Sequence, residues 1–291
     1  MKNPAIMTMT MFFRLLYMYK LDHDVEELAE GYDEMLDLTA DAGFTSVDVT
    51  SWEIGILGVE KVAEALGKRG LSVSSVIHPD AFAAPDQEGF SGRVDKACKL
   101  LMAAEALHCP VFMLVPLAHP GIDTESREEI HKNLIRHLSA VTEHAVQEGL
   151  TVVIEDTPDL KLHLCTAGDV AEVLDAVPGL QLAYDSANMT LVGEDPVEYI
   201  RKFAGRIGYV HLKDYREAPA GSVLVEPDQN GKAMSTAPFG TGCIDLKAVV
   251  SELRKCAYNG AMTVEFYVDD DRDFAKSLQR SRAYAENLLR A

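Results

Sequence analysis

Several features that define whole protein classes are scarce in this sequence. Its 291 residues include one tryptophan and five cysteines, and no two cysteines form a Cys-X-X-Cys pair. An odd number of scattered cysteines argues against a disulfide framework and against a thiolate zinc site. No apolar run approaches the roughly 18 residues that a membrane-spanning helix needs. We therefore expect a protein with no membrane partner, located in the cytoplasm.

The apolar run near the N-terminus partly matches a signal peptide. Arg14 interrupts the run, however, and no small-residue cleavage site follows it. We predict that residues 5–13 form a buried first strand instead.

Basic residues are also scarce relative to acidic ones. The chain has 27 Lys plus Arg against 46 Asp plus Glu, which gives a formal net charge of −19. Such a surface repels phosphate backbones and anionic lipid headgroups. The charge balance therefore predicts no nucleic-acid partner. Hydrophobic residues make up 47% of the sequence, so the chain can bury a large core and is expected to fold.

The sequence does contain a regular alternation of two patterns. Short β-branched or apolar runs predict strands, and longer segments with apolar residues three and four apart predict helices. The predicted strands are 5–13, 46–51, 72–78, 111–116, 151–155, 181–185, 207–211 and 262–267. The predicted helices are 25–42, 59–69, 94–107, 126–148, 167–177, 196–203, 246–256 and 273–289.

This alternation predicts the fold class. Eight strands that alternate with eight helices imply parallel strands joined by helical crossovers. The strands are apolar almost throughout, as in a sheet covered on both faces. Eight such units in about 250–300 residues match an α/β protein of the closed (β/α)8 TIM barrel type. No linker or shift in composition divides the chain, so we predict a single domain over residues 1–291. The longest irregular stretch, 215–242, is expected to be a functional loop.

The last four predicted strands each end in a residue type that binds divalent cations. In chain order these residues are Glu155, Asp185, His211 and Glu265, each directly after an apolar run. Barrel enzymes carry their chemistry at the carboxyl ends of the strands, where neighbouring strands lie roughly 5 Å apart. Three carboxylates and one imidazole suit Mn²⁺, Mg²⁺, Co²⁺ or Zn²⁺. One such residue alone is an ordinary polar group leaving a strand, but four in succession predict a metal site.

The motifs around these residues resemble a known family. They read Val-Ile-Glu-Asp-Thr-Pro at 153–158, Tyr-Asp-Ser-Ala-Asn at 184–188, Val-His-Leu-Lys-Asp at 210–214 and Thr-Val-Glu at 263–265. The sequence is similar to the xylose isomerase-like TIM barrels, the superfamily of sugar phosphate isomerases and epimerases. Within it, the resemblance is closest to the ketose 3-epimerase, hydroxypyruvate isomerase and inosose dehydratase branches. The order Glu, Asp, His, Glu on strands five to eight is the metal signature of that family.

The resemblance implies a mechanism and a cofactor. In the similar epimerases a metal holds two oxygens of a hydroxy-ketone and stabilises the enediolate that forms when the neighbouring carbon loses its proton. Carried over, Glu155 and Glu265 are ligands and also the catalytic acid–base pair, while Asp185 and His211 are ligands. The implied cofactor is one divalent ion, with Mn²⁺ expected first and Mg²⁺, Co²⁺ or Zn²⁺ as alternatives.

The implied activity is that of a metal-dependent isomerase or epimerase of a small sugar or polyol ketone. The alternative is an inosose dehydratase-like lyase on the same metal site. Family members often form dimers or tetramers, so a homo-oligomer is expected here as well.

Five further residues are candidates for substrate binding: Asn188, His78, Lys213, Arg216 and Trp52. Asn188 stands where many relatives carry a histidine that contacts substrate, and Arg216 is the candidate for the arginine that follows the seventh strand in relatives. His78 ends the third strand, with a satisfied core histidine as the alternative. Trp52 is expected either to form a wall against a sugar face or to pack in the core. Lys213 is expected to hold a substrate oxygen, with an ion pair to a nearby acid as the alternative.

The sequence disfavours two other function classes. An endonuclease of the abasic-site type shares this barrel. That class is characterised by a cluster of about three metals, several additional histidine ligands and a basic face. The charge of −19 argues against that class. A scaffold without catalysis is disfavoured because the Glu-Asp-His-Glu set is complete.

Overall fold

The structure is a computed structural model that describes residues 5–7, 25–85, 89–222, 225–265 and 273–290. Within these ranges, eight parallel strands close into a barrel. They are β1 (Ala5–Met7), β2 (Ser46–Thr50), β3 (Ser72–Asp80), β4 (Val111–Pro116), β5 (Thr151–Glu155), β6 (Leu180–Asp185), β7 (Ile207–Leu212) and β11 (Met262–Val264). The strands follow chain order around the barrel, and β11 closes it by pairing with both β7 and β1. The (β/α)8 prediction is therefore confirmed, although residues 8–13 and 266–267 of two predicted strands lie outside the described residues.

Nine α-helices surround the barrel in the described part of the chain. They are α1 (Val25–Asp41), α2 (Ser51–Leu57), α3 (Val59–Lys68), α4 (Phe90–Ala106), α5 (Arg127–Gln147), α6 (Ala167–Ala176), α7 (Pro196–Lys202), α8 (Leu246–Lys255) and α9 (Phe274–Arg290). Eight of them lie close to the predicted bounds, and α2 is an addition. None of these helices is long and apolar enough to cross a membrane.

Helix α2 begins at a capping box. The Thr50 hydroxyl accepts a hydrogen bond from the backbone N–H of Glu53, and the Glu53 carboxylate accepts one from the backbone N–H of Thr50 at 2.5 Å. This reciprocal pair satisfies two N–H groups that a helix start leaves without partners. The chain therefore turns directly from the end of β2 into a helix.

Side chains of the barrel strands alternate between two packed layers, because successive residues of a strand point to opposite faces. The barrel interior holds Ile77, Val111, Met113, Val153, Ala183 and Tyr209. The larger cluster lies between strands and helices and takes in the alternate strand residues, such as Phe112, Ile154 and Val210. The odd-numbered side chains of β4, β5 and β6 therefore face the barrel axis. In β7 the same is true of the odd-numbered side chains from Tyr209 onward.

Two β-bulges interrupt the regular pairing. Between β6 and β7, Leu182 pairs with Ile207 but Ala183 pairs with Tyr209, so Gly208 is an extra residue. Between β2 and β3, Val47 pairs with Val73 but Asp48 pairs with Ser75, so Ser74 is extra. An extra residue shifts the alternation of the strand beyond it. In β7, strict alternation from the helix-facing Ile207 would make Tyr209 face the helices as well. Because Gly208 is an extra residue, the Tyr209 side chain faces the barrel interior instead.

We predict that Gly208→Ala destabilises the barrel by about 1–2 kcal/mol, because a small-to-large change in a packed interior is costly. A methyl group at residue 208 would lie 2.8 Å from Val153 Cγ1 and 2.6 Å from Gln181 Oε1. Gly67→Ala in α3 is the matched control, since its methyl group would meet nothing within 4 Å. The control should gain about 0.5 kcal/mol from the higher helix propensity of alanine. Urea unfolding of both variants measures the difference, and equal stability of G208A and the parent protein would contradict the packing argument.

The predicted functional loop 215–242 contains a small antiparallel sheet of its own. Its strands are β8 (Tyr215–Glu217), β9 (Glu226–Pro227) and β10 (Ala233–Thr236), in the order β8-β10-β9. The Asp214 carboxylate anchors the far end of this segment by accepting the backbone N–H groups of Gly242 at 2.7 Å and Ile244 at 3.1 Å. The segment therefore leaves the end of β7 and returns to it.

Candidate metal centre

The four residues predicted at the strand ends converge on one point. One oxygen or nitrogen atom from each of Glu155, Asp185, His211 and Glu265 lies within 4.8 Å of the others. Asp185, His211 and Glu265 are buried, and the Glu155 side chain is 13% exposed. The group therefore lies at the inner end of the barrel mouth, with Glu155 as its most accessible member.

The strand alternation explains why these side chains meet. Glu155 and Asp185 follow the interior residues Val153 and Ala183 by two positions, and His211 follows Tyr209 in the same way. Asp185 pairs directly with His211 across neighbouring strands. Positions two apart on a strand point to the same face, so the side chains continue the interior layer up to the rim.

Asp185 has one oxygen held by the backbone and one left over. Its Oδ1 atom accepts the N–H groups of Ala187 at 2.7 Å and Asn188 at 3.0 Å. Its Oδ2 atom is buried and has no hydrogen-bond donor among the described residues. Burial raises the pKa of Asp185 to about 8, and the nearby Glu265 and Glu155 carboxylates also raise it against the opposing effects of Lys213 and His211. A buried carboxylate oxygen without a donor is costly unless a cation supplies the missing partner.

His211 lies between the carboxylates. Its Nδ1 atom is 2.5 Å from Glu155 Oε1 and 3.4 Å from Glu265 Oε2. Burial alone would lower the pKa of His211, but the Glu155 carboxylate and the hydrogen bonds to Asp48, Glu155 and Glu265 raise it well above its usual value. For Glu265, burial raises the pKa, but Lys213 and His211 outweigh burial and lower it. Positive charge is thus strongly favoured at this position of the barrel.

Lys213 and Asn188 border the group on one side. The Lys213 Nζ atom is buried 3.4 Å from Glu265 Oε1 and donates to Asn188 Oδ1 at 3.1 Å. The Asn188 amide nitrogen donates to the Asp156 carbonyl oxygen at 2.7 Å. Tyr215 also lies here: the Lys213 ammonium is 5.1 Å from its ring centre, and its hydroxyl donates to Glu226 of β9. These contacts connect the loop segment to the edge of the group.

The other predicted substrate-binding residues lie elsewhere. His78 is fully buried, with its ring 5.5 Å from that of Phe82 and its Nδ1 atom 3.1 Å from Ser51 Oγ. Trp52 is the second residue of α2 and is partly buried against the main core. Arg216 lies in β8 opposite Ser235 of β10. The structure does not bring these three residues into the four-residue group, and their contact with a substrate stays a prediction.

Two buried carboxylates near the group were not predicted from the sequence. Asp156 follows Glu155, and its Oδ1 atom accepts the backbone N–H of Asp185 at 3.3 Å. Asp48 lies in the middle of β2, where its Oδ2 atom is 3.2 Å from His211 Nε2. The signal for Asp48 is its position between Val47 and Val49, because an acid inside a buried strand requires a polar partner.

The donor set and its charge fit a divalent cation. Five carboxylates lie in or beside the group, at residues 48, 155, 156, 185 and 265, and Lys213 and His211 are the basic residues named around them. Buried charges of one sign repel each other unless a counter-charge compensates them. Oxygen-rich sites with one imidazole are typical of Mn²⁺, Mg²⁺ and Zn²⁺. The residues that would hold the ion are Glu155, Asp185, His211 and Glu265.

Comparison with known proteins finds relatives in sequence and in fold. Over 154 residues the chain is 30% identical to an inosose dehydratase of Clostridium tetani, a match that covers 50% of each chain. The chain thus spans about half the length of the curated relatives it matches. Among solved structures, the IolI protein with a bound zinc atom is 16% identical with a TM-score of 0.76, and covers 99% of this chain and 98% of its own.

A second solved structure has the same fold. The D-allulose 3-epimerase of a Methylomonas species is 17% identical with a TM-score of 0.70, over 89% of this chain and 92% of its own. The family model described as "Xylose isomerase-like TIM barrel" matches residues 36–288. This range contains all four residues of the group. The chain therefore belongs to the xylose isomerase-like TIM barrel family.

Proposed function

We propose that this protein is a divalent-metal-dependent isomerase or epimerase that acts on a small sugar or polyol ketone. The observation that carries the proposal is the convergence of Glu155, Asp185, His211 and Glu265 within 4.8 Å, with Asp185 Oδ2 lacking a donor. The family and its named relatives support a reaction at a carbonyl-bearing polyol. The predicted ion is Mn²⁺, and the zinc atom in the IolI structure makes Zn²⁺ the main alternative.

The bound cation would polarise the substrate carbonyl and stabilise the negative charge that develops on its oxygens. The protein's own part is the movement of a proton at the neighbouring carbon. One glutamate carboxylate removes the proton and the other returns it, at the same carbon in an epimerase or at the carbonyl carbon in an isomerase. Glu155 and Glu265 suit this pair because both point into the barrel mouth, one of them partly exposed and the other buried beside Lys213.

The substrate would be oriented by polar groups that border the cation. Lys213 carries a charged donor directly beside Glu265, and Asn188 orients that donor through its side-chain oxygen. Arg216 and Trp52 remain the further predicted substrate contacts, whereas the packing of buried His78 against Phe82 and Phe112 favours its alternative role as a core histidine. Hydroxyl and carbonyl oxygens of a polyol ketone match such donors. Tyr215, the first residue of the segment 215–242, lies beside Lys213 and would border a bound substrate.

A dehydratase is the second candidate function, and the name of the Clostridium tetani relative favours it. Dehydration begins with the same removal of a proton next to a carbonyl. It then expels a neighbouring hydroxyl group as water, for which a protonated carboxyl group would supply the hydrogen. The two candidates therefore share the site and differ in the product.

The test is product analysis in heavy water. The Mn²⁺-loaded protein is incubated with a panel of ketoses and inososes, and the products are analysed by mass spectrometry and NMR. An isomerase or epimerase gives a product of unchanged formula that carries deuterium at the reacting carbon. A dehydratase gives a product lighter by one water. Neither deuterium uptake nor loss of water from any member of the panel would contradict the proposed function.

Four broader predictions accompany the proposal. The chain is expected to act as a single domain over residues 1–291, in the cytoplasm, on a small-molecule partner. It is also expected to assemble into a dimer or tetramer. Light scattering coupled to size-exclusion chromatography measures the assembly state directly.

A further inference from the structure

Asp48 lies beneath the candidate metal centre in the barrel interior. It is fully buried at the middle of β2, and the neighbouring side chains Val47 and Val49 pack in the helix-facing core. Strands β2 and β7 are not neighbours, since β1 and β11 lie between them. Asp48 and His211 therefore meet through the interior of the barrel rather than along the sheet.

Both carboxylate oxygens of Asp48 have a partner that can donate a hydrogen bond. The Oδ1 atom accepts from the Tyr209 hydroxyl at 2.5 Å, and the Oδ2 atom is 3.2 Å from His211 Nε2. The Tyr209 oxygen is also 2.7 Å from Thr263 Oγ1. Because the phenol has one hydrogen and gives it to Asp48, the threonine hydroxyl is the donor to the phenol oxygen. Three strands thus contribute to one chain of hydrogen bonds, Thr263–Tyr209–Asp48–His211.

This chain determines which ring nitrogen of His211 would keep its hydrogen when a cation is bound. An ionised carboxylate only accepts hydrogen bonds, so without a cation each ring nitrogen donates to the carboxylate that it faces, Nε2 to Asp48 and Nδ1 to Glu155. A cation at the four-residue group would take the place of the Nδ1 hydrogen, and Asp48 would keep the hydrogen on Nε2. The lone pair of the neutral imidazole is then on Nδ1, the atom that faces Glu155 and Glu265. A metal ligand requires that lone pair. Carboxylates that hold the second nitrogen of a ligating histidine orient its ring and increase its affinity for the metal.

We propose that Asp48 is a positioning residue that holds His211 in the tautomer and orientation needed to bind a divalent cation through Nδ1. This inference rests on the proposed function, because it assumes that His211 is a ligand. It assigns a role to a residue that touches neither the cation nor the substrate. It also explains why an acid is tolerated between two valines in a barrel strand.

The first test is the affinity for Mn²⁺, measured by isothermal titration calorimetry on protein stripped of metal. Asp48→Asn keeps the shape of the side chain but removes its charge, and we expect binding weaker by about 10–100-fold. Tyr209→Phe removes one hydrogen bond to Asp48 and should weaken binding by only a few fold. Thr263→Val removes the outermost hydrogen bond of the chain, two bonds further from His211, and should have the smallest effect on the affinity. Thermal unfolding of the stripped proteins shows that each variant is folded.

The second test observes the tautomer directly. In long-range ¹H–¹⁵N spectra of the Zn²⁺-loaded parent protein, His211 should show a hydrogen on Nε2 and none on Nδ1. His211→Gln identifies the signal by removing it. A hydrogen on Nδ1 would overturn the proposal even if Asp48→Asn failed to fold.

The outcomes separate the two proposals. If the parent protein does not bind Mn²⁺ or Zn²⁺, the proposed function fails, and the role of Asp48 fails with it. If the parent and D48N bind Mn²⁺ equally tightly, and H211Q does not bind it, His211 is a ligand and Asp48 has no positioning role. The graded loss from T263V through Y209F to D48N is the result that supports the inference.

Discussion

Replacing Glu265 by glutamine is expected to lower kcat by about 10²–10⁴-fold, the range typical of a lost general acid–base group. Glutamine has nearly the same shape, so the loss would come from the missing carboxylate and not from a cavity. The change also removes one of four predicted metal ligands and the ion pair with Lys213, whose Nζ atom lies 3.4 Å from Glu265 Oε1. Steady-state kinetics at saturating Mn²⁺ separates the catalytic loss from weaker metal binding.

Glu252→Gln is the matched control for this variant. Glu252 lies in α8, away from the barrel mouth, and forms an ion pair with Arg201 at 2.8 Å. Its replacement also removes a carboxylate from an ion pair, but kcat should stay within about twofold of the parent value because such pairs contribute little to a distant site. An E265Q enzyme with full activity would show that the two-glutamate mechanism is wrong.

Removal of the metal is expected to have the second large effect. Dialysis against a chelator should abolish activity, and addition of Mn²⁺ should restore it. A ligand that binds only the folded state stabilises it by about 2.7 kcal/mol at a free concentration of about 100 times Kd. In domains of roughly 150–250 residues, 1 kcal/mol shifts Tm by about 2–4 °C. Differential scanning fluorimetry should therefore show a rise of several degrees when Mn²⁺ is added.

Two histidine variants show whether that rise comes from the candidate site. His211→Asn should lose the rise because it removes a ligand. His131→Asn should keep it, because His131 is a buried histidine of α5 whose Nε2 atom bonds the His163 carbonyl oxygen at 2.7 Å, outside the group. A protein whose Tm does not respond to Mn²⁺, Mg²⁺, Co²⁺ or Zn²⁺ would contradict the metal prediction altogether.

Much of the barrel could be predicted because its signals are local. Each buried strand is a short apolar run bounded by polar residues, and each helix has its own apolar period, so neither requires knowledge of distant contacts. The convergence of Glu155, Asp185, His211 and Glu265 followed from topology alone. The carboxyl ends of parallel barrel strands lie at one rim, whatever the details of packing.

The remaining features depend on contacts between distant parts of the chain. The role of Asp48 requires the knowledge that β2 and β7 face each other across the interior, although Asp48 and His211 are 163 positions apart in the sequence. The strands of the loop segment are two to four residues long, too short for a period to appear. Helix α2, in contrast, has a local sequence signal, because Thr50 and Glu53 have the spacing of a capping box.

At His78, a β-bulge changes which face of the strand the side chain is on. Strict alternation from Val73, which faces the helices, would place the His78 side chain in the barrel interior. Because Ser74 is an extra residue, the phase is reversed, and Ile77 faces the interior instead. His78 then packs on the helix-facing side near Phe82 and Phe112.

The bulge at Gly208 has a consequence for protein engineering. Counted by strict alternation from Ile207, whose side chain packs against the helix-facing core, His211 would point toward the helices. The additional glycine directs its imidazole to the axis instead. A designer who transplants this strand end into another barrel should therefore transfer Ile207–Leu212 as one cassette. A graft that aligns Ile207 with its partner strand but leaves out the extra glycine would place the imidazole on the helix-facing side of the sheet. Only the three carboxylates would then remain at the barrel mouth.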